Sequence, residues 1–381
     1  MSKTWCALPW IHMCVRPNEQ IKPCCRFQFE DGDADIAPTI EQFNPNDRYW
    51  TKLRQDMLDG VQRNECRKCY EQERVLTKDS PNQSLRNWMN SVFSTVDAEQ
   101  CTSAALDLRY IEMSLDNLCN FECKMCDSKF SSKLQLRDQH MGWRVHKKLE
   151  PNFEKFDRFD LTKLEYIKLL GGEPLLSPNL KPFLNYISSR GAVAEQIQLQ
   201  ISTNGSKPLE DSLIERLQRF KHIEISVSLD TYDKSNDYQR IGGFYELIFK
   251  NALWYKQVLP NSRVNFHSVI GIYTANHLSK TMKFLREDHG FDVSVDWIRD
   301  PSWQSLLIAP EQFIQWLLEQ NNDYAYAHQL LENFVKGAVY DADSWQTLLN
   351  NTKQLDNYHK KHLNDYNPMV YERLYNETYG I

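Results

Sequence analysis

Six short apolar runs that alternate with helical patterns set the tightest limit on what this chain can fold into. They are LRYIEMSL (108–115), YIKLL (166–170), IQLQIS (197–202), IEISVSL (223–229), VNFHSVIGI (264–272) and VSVDW (293–297). Helical spacing lies between most of them, as in Leu180, Leu184 and Ile187, or Leu213, Leu217 and Phe220. A strand that crosses over through a helix returns parallel to its predecessor. The alternation therefore predicts an α/β fold, a barrel or an open sheet, over about 108–300. Residues 1–95 hold six cysteines in three groups and a single helical pattern, NPNDRYWTKLRQDMLDG. There Asn46 or Asp47 caps the helix, Trp50, Leu53 and Met57 share a face, and Gly60 ends it. Residues 96–107 read as a linker, and the chain from 306 onward as helical, rich in Tyr and Leu. The expected regions are thus 1–95, 96–305 and 306–381, with no internal repeat or low-complexity segment.

The chain has 381 residues and a formal net charge of −6, with Lys and Arg spread along it. That speaks against nucleic acid as a partner, since no basic face or run stands out. No apolar run approaches the roughly 18 residues of a membrane span. The opening MSKTWCALPWIHMC is broken by Pro9 and His12 and lacks a small-residue cleavage site, so it does not read as a secretory signal. The expectation is a cytoplasmic protein without a membrane partner. In a reducing compartment the ten cysteines point to metal ligands before disulfides.

Three of these cysteines, Cys119, Cys123 and Cys126, follow the first barrel strand within LDNLCNFECKMCDSK. The loop after a parallel strand is where active sites collect in barrels. A structural zinc site wants four ligands. On a cluster of four irons, three cysteines leave one iron for a small molecule.

The Cys-x3-Cys-x2-Cys spacing after a first strand resembles that of the radical S-adenosylmethionine (radical SAM) enzymes. The resemblance implies a partial (β/α)6 TIM-like barrel with an amino-terminal cysteine-rich module and a helical carboxy-terminal segment. It implies a 4Fe–4S cluster on the three cysteines that binds S-adenosylmethionine. Met125 stands where the family often has an aromatic residue, and Met still covers an adenine ring. The second strand ends in Gly171, Gly172, Glu173 and Pro174, which resembles the element that receives the amino group of S-adenosylmethionine. Ser202 and Asn204 in STNG are polar groups at a strand end, either contacts for methionine or ribose or a plain turn, while Ser228 and Asp230 in SVSLDTYD and Arg240 in YQRIGG resemble the groups with which relatives contact ribose and carboxylate. Asn276 is a weaker candidate of the same kind.

The amino-terminal stretches CALPWIHMCVRPNEQIKPCCRF and NECRKCYEQE form a second constellation. Thiols alone leave zinc open. The order Cys, Leu-Pro-Trp, Pro-Cys-Cys, a tryptophan helix and Cys-x2-Cys, continued by EQERVLTKDSPNQSLRNWMN, resembles the SPASM/twitch auxiliary-cluster region. In many relatives that module follows the barrel; here it precedes it. The resemblance implies one auxiliary 4Fe–4S cluster on Cys6, Cys24, Cys66 and Cys69, with Cys25 the alternative to Cys24. Cys14, Cys25 and Cys101 are then candidate hydrogen-atom donors to a substrate radical, against the commoner role of a buried thiol as a small hydrophobe. His12 reads as packed or at the surface.

The family chemistry so implied is reductive cleavage of S-adenosylmethionine to methionine and a 5′-deoxyadenosyl radical, which takes hydrogen from a substrate. The expected substrate is a peptide or protein side chain, with a small molecule or carbohydrate as the alternative. An electron donor such as flavodoxin or ferredoxin is the expected partner. The reading from another class is a zinc-stabilised binding protein, for which Glu173 and Arg240 at strand ends would have no use.

Overall fold

The computed structural model describes residues 4–29, 37–75, 84–99, 101–103, 106–147, 149 and 151–375. Among the described residues eight strands form: β1 (His12–Val15), β2 (Ile21–Lys22), β3 (Tyr110–Ser114), β4 (Tyr166–Leu170), β5 (Gln198–Thr203), β6 (His222–Ser228), β7 (Arg263–Ile270) and β8 (Asp292–Trp297). They form one sheet in the order β2-β1-β3-β4-β5-β6-β7-β8. β2 is antiparallel to β1, whereas the β1–β3, β3–β4, β4–β5, β6–β7 and β7–β8 pairs are parallel. All six expected strands are present, in the chain-order arrangement of a partial barrel.

Two strands were not expected. The run HMCV of β1 is buried at all four positions, so it shows no in-out alternation, and its length is below what periodicity resolves. It pairs in parallel with β3, His12 opposite Tyr110 and Cys14 opposite Glu112. The amino-terminal region therefore supplies a strand to the sheet as well as thiols.

The chain divides into two compact units. The first comprises residues 1–117, 148–201 and 215–223. Its helices include α1 (Arg48–Leu58), α2 (Arg67–Val75), α3 (Leu85–Val92) and α4 (Leu180–Ser189). α1 forms as the sequence indicates: Asp47 Oδ1 accepts from Trp50 N at 3.0 Å, and Trp50, Leu53 and Met57 are buried. Each such burial stabilises by about 1.5–3 kcal/mol. The stretch read as a linker is tied down: Trp10 Nε1 donates to Thr102 O at 2.8 Å, and Asp107 N to Trp10 O at 2.8 Å.

The second unit comprises residues 118–147, 202–214 and 224–381. The helix α5 (Asp211–Leu217) has residues in both units. The second unit holds α6 (Lys234–Gln239), α7 (Tyr245–Val258), α8 (Glu311–Gln320), α9 (Ala325–Val335) and α10 (Ala342–His359). The carboxy-terminal helices are those the sequence predicts. Among the described residues no helix is long and apolar enough to cross a membrane.

Candidate functional site: two sets of thiols and the elements that hold them

In the second unit, the loop carrying Cys119, Cys123 and Cys126 has little regular structure and is held by its neighbours. Glu122 N donates to Ile241 O and Lys124 N to Gln239 O, both at 2.8 Å, so the segment 239–243 runs along the loop. Glycine is needed there. A Cβ on Gly242, whose φ is +98°, would lie 3.1 Å from Asn120 O, and one on Gly243 3.0 Å from the Phe121 ring.

Three carbonyls of the loop are taken by side chains the sequence reading did not single out. Arg137 donates to Cys123 O at 3.0 Å and Cys126 O at 2.6 Å, and Gln304 Nε2 to Lys124 O at 2.9 Å. Arg137 is fully buried and paired with the equally buried Asp138. Asp138 in turn accepts from Ser128 N at 2.7 Å. Hydrogen bonds from a charged group contribute about 1.5–3 kcal/mol each, so this clamp outweighs ordinary loop contacts.

Cys119 lies near enough to raise the pKa of both other thiols, and Cys123 that of Cys126. Burial pushes the Cys123 thiol up to about 12, with Arg240 opposing and Cys119 adding to the rise. Cys119 Sγ accepts from Phe121 N at 3.4 Å and Asn204 Nδ2 at 3.8 Å. Asn204 also donates to Asn120 Oδ1 at 2.8 Å. Met125 Sδ accepts from Gln239 Nε2 at 3.3 Å. Thiols held protonated by burial ionise when a metal supplies positive charge, with release of protons. Three thiols on one clamped loop are a donor set that fits a four-iron cluster with one iron left for a small molecule.

Other expected residues of this unit sit as follows. Ser202 is half-buried near the end of β5, and Ser228, opposite His267, is half-buried at the end of β6. Asp230 and Arg240, expected to make separate contacts, form one buried bidentate pair: Nε to Oδ2 at 2.9 Å and Nη2 to Oδ1 at 2.7 Å. Asp230 Oδ1 accepts from Val269 N as well. Asn276 is buried and hydrogen-bonded with Asn367, which ties it to the carboxy-terminal segment.

In the first unit, Gly171 has φ +123°, and a Cβ there would lie 2.6 Å from Asp116 O. Gly172 N donates to the same carbonyl at 3.1 Å. Glu173, expected as a carboxylate at the end of the second barrel strand, follows these glycines. It is only 1% exposed, and its Oε1 accepts from Leu175 N at 2.9 Å, capping the turn Pro174–Leu176. Glu173→Gln keeps that acceptor and removes the charge. If Glu173 takes the amino group of S-adenosylmethionine, as the resemblance implies, the variant should keep its fold and bind that ligand about ten- to hundredfold more weakly, the loss of one charge-assisted bond. A binding titration on reconstituted protein, with cluster absorbance as the control, checks this; unchanged affinity would reduce Gly171–Pro174 to a turn.

The amino-terminal thiols converge in the same unit. Cys6, Cys24, Cys66 and Cys69 line one cavity of about 20 Å³, together with Arg26, Tyr70 and Arg86 among others. Cys6 precedes the helical turn Leu8–Ile11, Cys66 ends the turn Asn64–Cys66, and Cys69 lies in α2. Burial, and then the neighbouring thiols of Cys25, Cys6, Cys69 and Cys66, pushes Cys24 well up. Cys6 is pushed up to about 12 by burial, against a backbone hydrogen bond from Leu8.

Among the described residues no three His, Cys, Asp or Glu side chains stand where they could hold a metal ion. A four-iron cluster spreads its thiolates further apart than a single ion does, and four thiols around one cavity are its donor set. Part of EQERVLTKDSPNQSLRNWMN, residues 76–83, lies outside the described residues. Described residues on either side are joined: Arg86 Nε donates to Glu73 Oε1 at 3.0 Å, and Ser84, which caps α3, bonds to Glu73 as well.

Cys25 is not among the residues lining that cavity. Beyond burial, the strongest influence on its thiol is Glu112. Cys14 Sγ lies 3.4 Å from Glu112 Oε1, so these two spare thiols share a carboxylate. Cys101 is half-buried. His12 is packed, its ring stacked 4.0 Å from Tyr110 and its Nδ1 2.7 Å from Pro23 O.

Residues 113–285 match the family model of the Radical SAM superfamily. Among curated proteins, the chain is 29% identical over 136 residues to a GTP 3′,8-cyclase of Campylobacter jejuni subsp. doylei, covering 33% of this chain and 36% of that protein. It is 31% identical over 131 residues to a GTP 3′,8-cyclase of Microcystis aeruginosa, covering 32% and 35%. The matched stretch thus spans about a third of these relatives. Among solved structures, native anSMEcpe with bound AdoMet is 18% identical, covers 59% of this chain and 62% of its own, and has a TM-score of 0.44. Streptococcus suis SuiB bound to precursor peptide SuiA is 14% identical, covers 86% and 68%, and has a TM-score of 0.38.

Proposed function

Because residues 113–285 match the family model of the Radical SAM superfamily, we propose that this chain cleaves S-adenosylmethionine reductively at a cluster held by Cys119, Cys123 and Cys126. The observation that carries this reading is the loop itself. Three thiols, and no fourth on that loop, are borne by a backbone whose carbonyls are clamped by buried Arg137 and Gln304. When bound, the cluster supplies an electron to S-adenosylmethionine, giving methionine and the 5′-deoxyadenosyl radical.

The chain's own residues bind and orient. Met125, held by Gln239, would cover the adenine. Gly171 and Gly172 let the backbone approach, and Glu173 would take the amino group, with Pro174 completing the element. Ser202, Asn204 and Ser228 are the remaining polar contacts. The Asp230–Arg240 pair presents a fixed cation whose charge the carboxylate sustains. Cys6, Cys24, Cys66 and Cys69 would hold one auxiliary cluster, and four full ligands suit electron transfer. Flavodoxin or ferredoxin is the class of electron donor.

The substrate reading is a peptide or protein side chain, supported by the likeness of the amino-terminal thiols to the SPASM/twitch region. A small molecule is the second reading, favoured by the likeness to GTP 3′,8-cyclases over about a third of the chain. Protein purified and reconstituted without oxygen should be brown, carry iron and sulfide in similar amounts, and form 5′-deoxyadenosine and methionine with dithionite. Zinc without iron, or no cleavage, would overturn the proposal. Faster 5′-deoxyadenosine formation on adding GTP would select the small-molecule reading.

A further inference from the structure

We propose that Asp356 is a positioning residue for the three-cysteine loop. It fixes the Lys124 side chain and with it the turn that carries Cys123, Met125 and Cys126. This rests on the cluster reading above and gives the carboxy-terminal helices a task in it.

Lys124 stands between two of the three cysteines, yet its side chain has no exposure. Its Nζ donates to Asp356 Oδ1 at 3.0 Å and lies 3.9 Å from the centre of the Tyr238 ring. The Tyr238 hydroxyl donates to the same oxygen at 2.7 Å. Asp356 Oδ2 accepts from Leu363 N at 2.8 Å, where the chain turns after α10. One carboxylate therefore joins the cysteine loop, α6 and the end of α10. Two further residues of that end face the same region: His359 Nδ1 lies 3.6 Å from Glu122 Oε2, and the Tyr358 ring lies 5.2 Å from that of His140.

A lysine on a loop costs least when it points to water. Burying both charges is seldom a net gain over an apolar pair of similar volume. What the ion pair adds is direction. Ammonium, phenol and backbone N–H groups converge on one carboxylate, and that fixes the rotation of the loop about its axis, which an apolar plug leaves free. Lys124 N and O are bonded as well, to Gln239 O and Gln304 Nε2. The residue between the ligands is thus held at both its backbone and its tip.

The test compares wild type with Lys124→Met/Asp356→Leu, which removes both charges together, and with Asp356→Asn and Asp356→Glu. All are reconstituted without oxygen. The readouts are Tm, iron per chain, the change in the reduced cluster's EPR spectrum on adding S-adenosylmethionine, and KM and kcat for its cleavage with dithionite. In the double variant iron is expected to stay near wild type, while Tm falls because the Tyr238 hydroxyl and Leu363 N lose their acceptor. KM is expected to rise about tenfold and the spectral change to diminish, because a small misplacement of a binding loop is felt at the site.

Asp356→Asn should lose stability as well, and Asp356→Glu should recover part of the affinity. A double variant with wild-type KM and spectral change overturns the proposal, leaving the pair as packing. Should the double variant not fold, Tyr238→Phe deletes one bond to Asp356 and keeps the ring. Its KM should rise in the same direction, and an unchanged KM there overturns the proposal. Wild-type protein that takes up no iron or cleaves no S-adenosylmethionine refutes instead the cluster reading, and this proposal falls with it.

Discussion

With Cys119, Cys123 and Cys126 all replaced by alanine, the protein is expected to form no 5′-deoxyadenosine above background under reducing conditions. Each substitution removes one of three anchors of the proposed cluster, and no fourth cysteine of the loop can substitute. Loss of fold is not the expected cause. The loop is held through its backbone, with Arg137 on the carbonyls of residues 123 and 126 and Glu122 and Lys124 paired to the 239–241 segment. None of these bonds uses a thiol. Melting should therefore stay close to that of unloaded wild type while cleavage disappears. The measurement is product analysis by chromatography beside a melting curve. Normal 5′-deoxyadenosine formation in the triple variant would end the reading.

Replacing Cys66 and Cys69 is expected to remove iron selectively. Both thiols line the amino-terminal cavity, and both lie in a short stretch, the turn Asn64–Cys66 and the first turn of α2. The double alanine variant should lose about four irons per chain, one cubane's worth. It should retain the other cluster and its cleavage of S-adenosylmethionine. Turnover of substrate should fall more than 5′-deoxyadenosine formation, since the module lies outside the three-cysteine loop. Iron and acid-labile sulfide per chain, with zinc measured in parallel, decide the matter. Unchanged iron with lost zinc would make the module a structural metal site.

Much of the fold is legible because an apolar run between helical patterns is a local signal. β4 falls at the residues expected, and the other five expected strands lie within a few residues of their readings. β1 was missed because four residues buried on every side carry no alternation. The capping of α1 was readable because Asp47 and Trp50 N are three residues apart. The sequence marks Glu173 behind two glycines but does not reveal its burial. A sequence cannot show that a carboxylate behind two glycines also closes its own turn.

Ligand spacing is likewise local. Three thiols within eight residues cannot lie far apart, so chain geometry alone brings Cys119, Cys123 and Cys126 together. Cys66 and Cys69 are close for the same reason. What folding decided is which distant groups complete each set. Cys6 and Cys24 reach the Cys66–Cys69 cavity, while Cys25, one residue from Cys24, does not line it. Asp230 and Arg240 pair with each other. Lys124 meets a carboxylate 232 residues away, a separation at which no periodicity or motif carries information. The sequence by itself determined the strand–helix alternation and the chemistry of the donor sets, because both depend on neighbours along the chain. Only the tertiary structure decided the buried polar partners that hold those sets, because each partner is selected by burial, where an unpaired charge or carbonyl costs too much to persist.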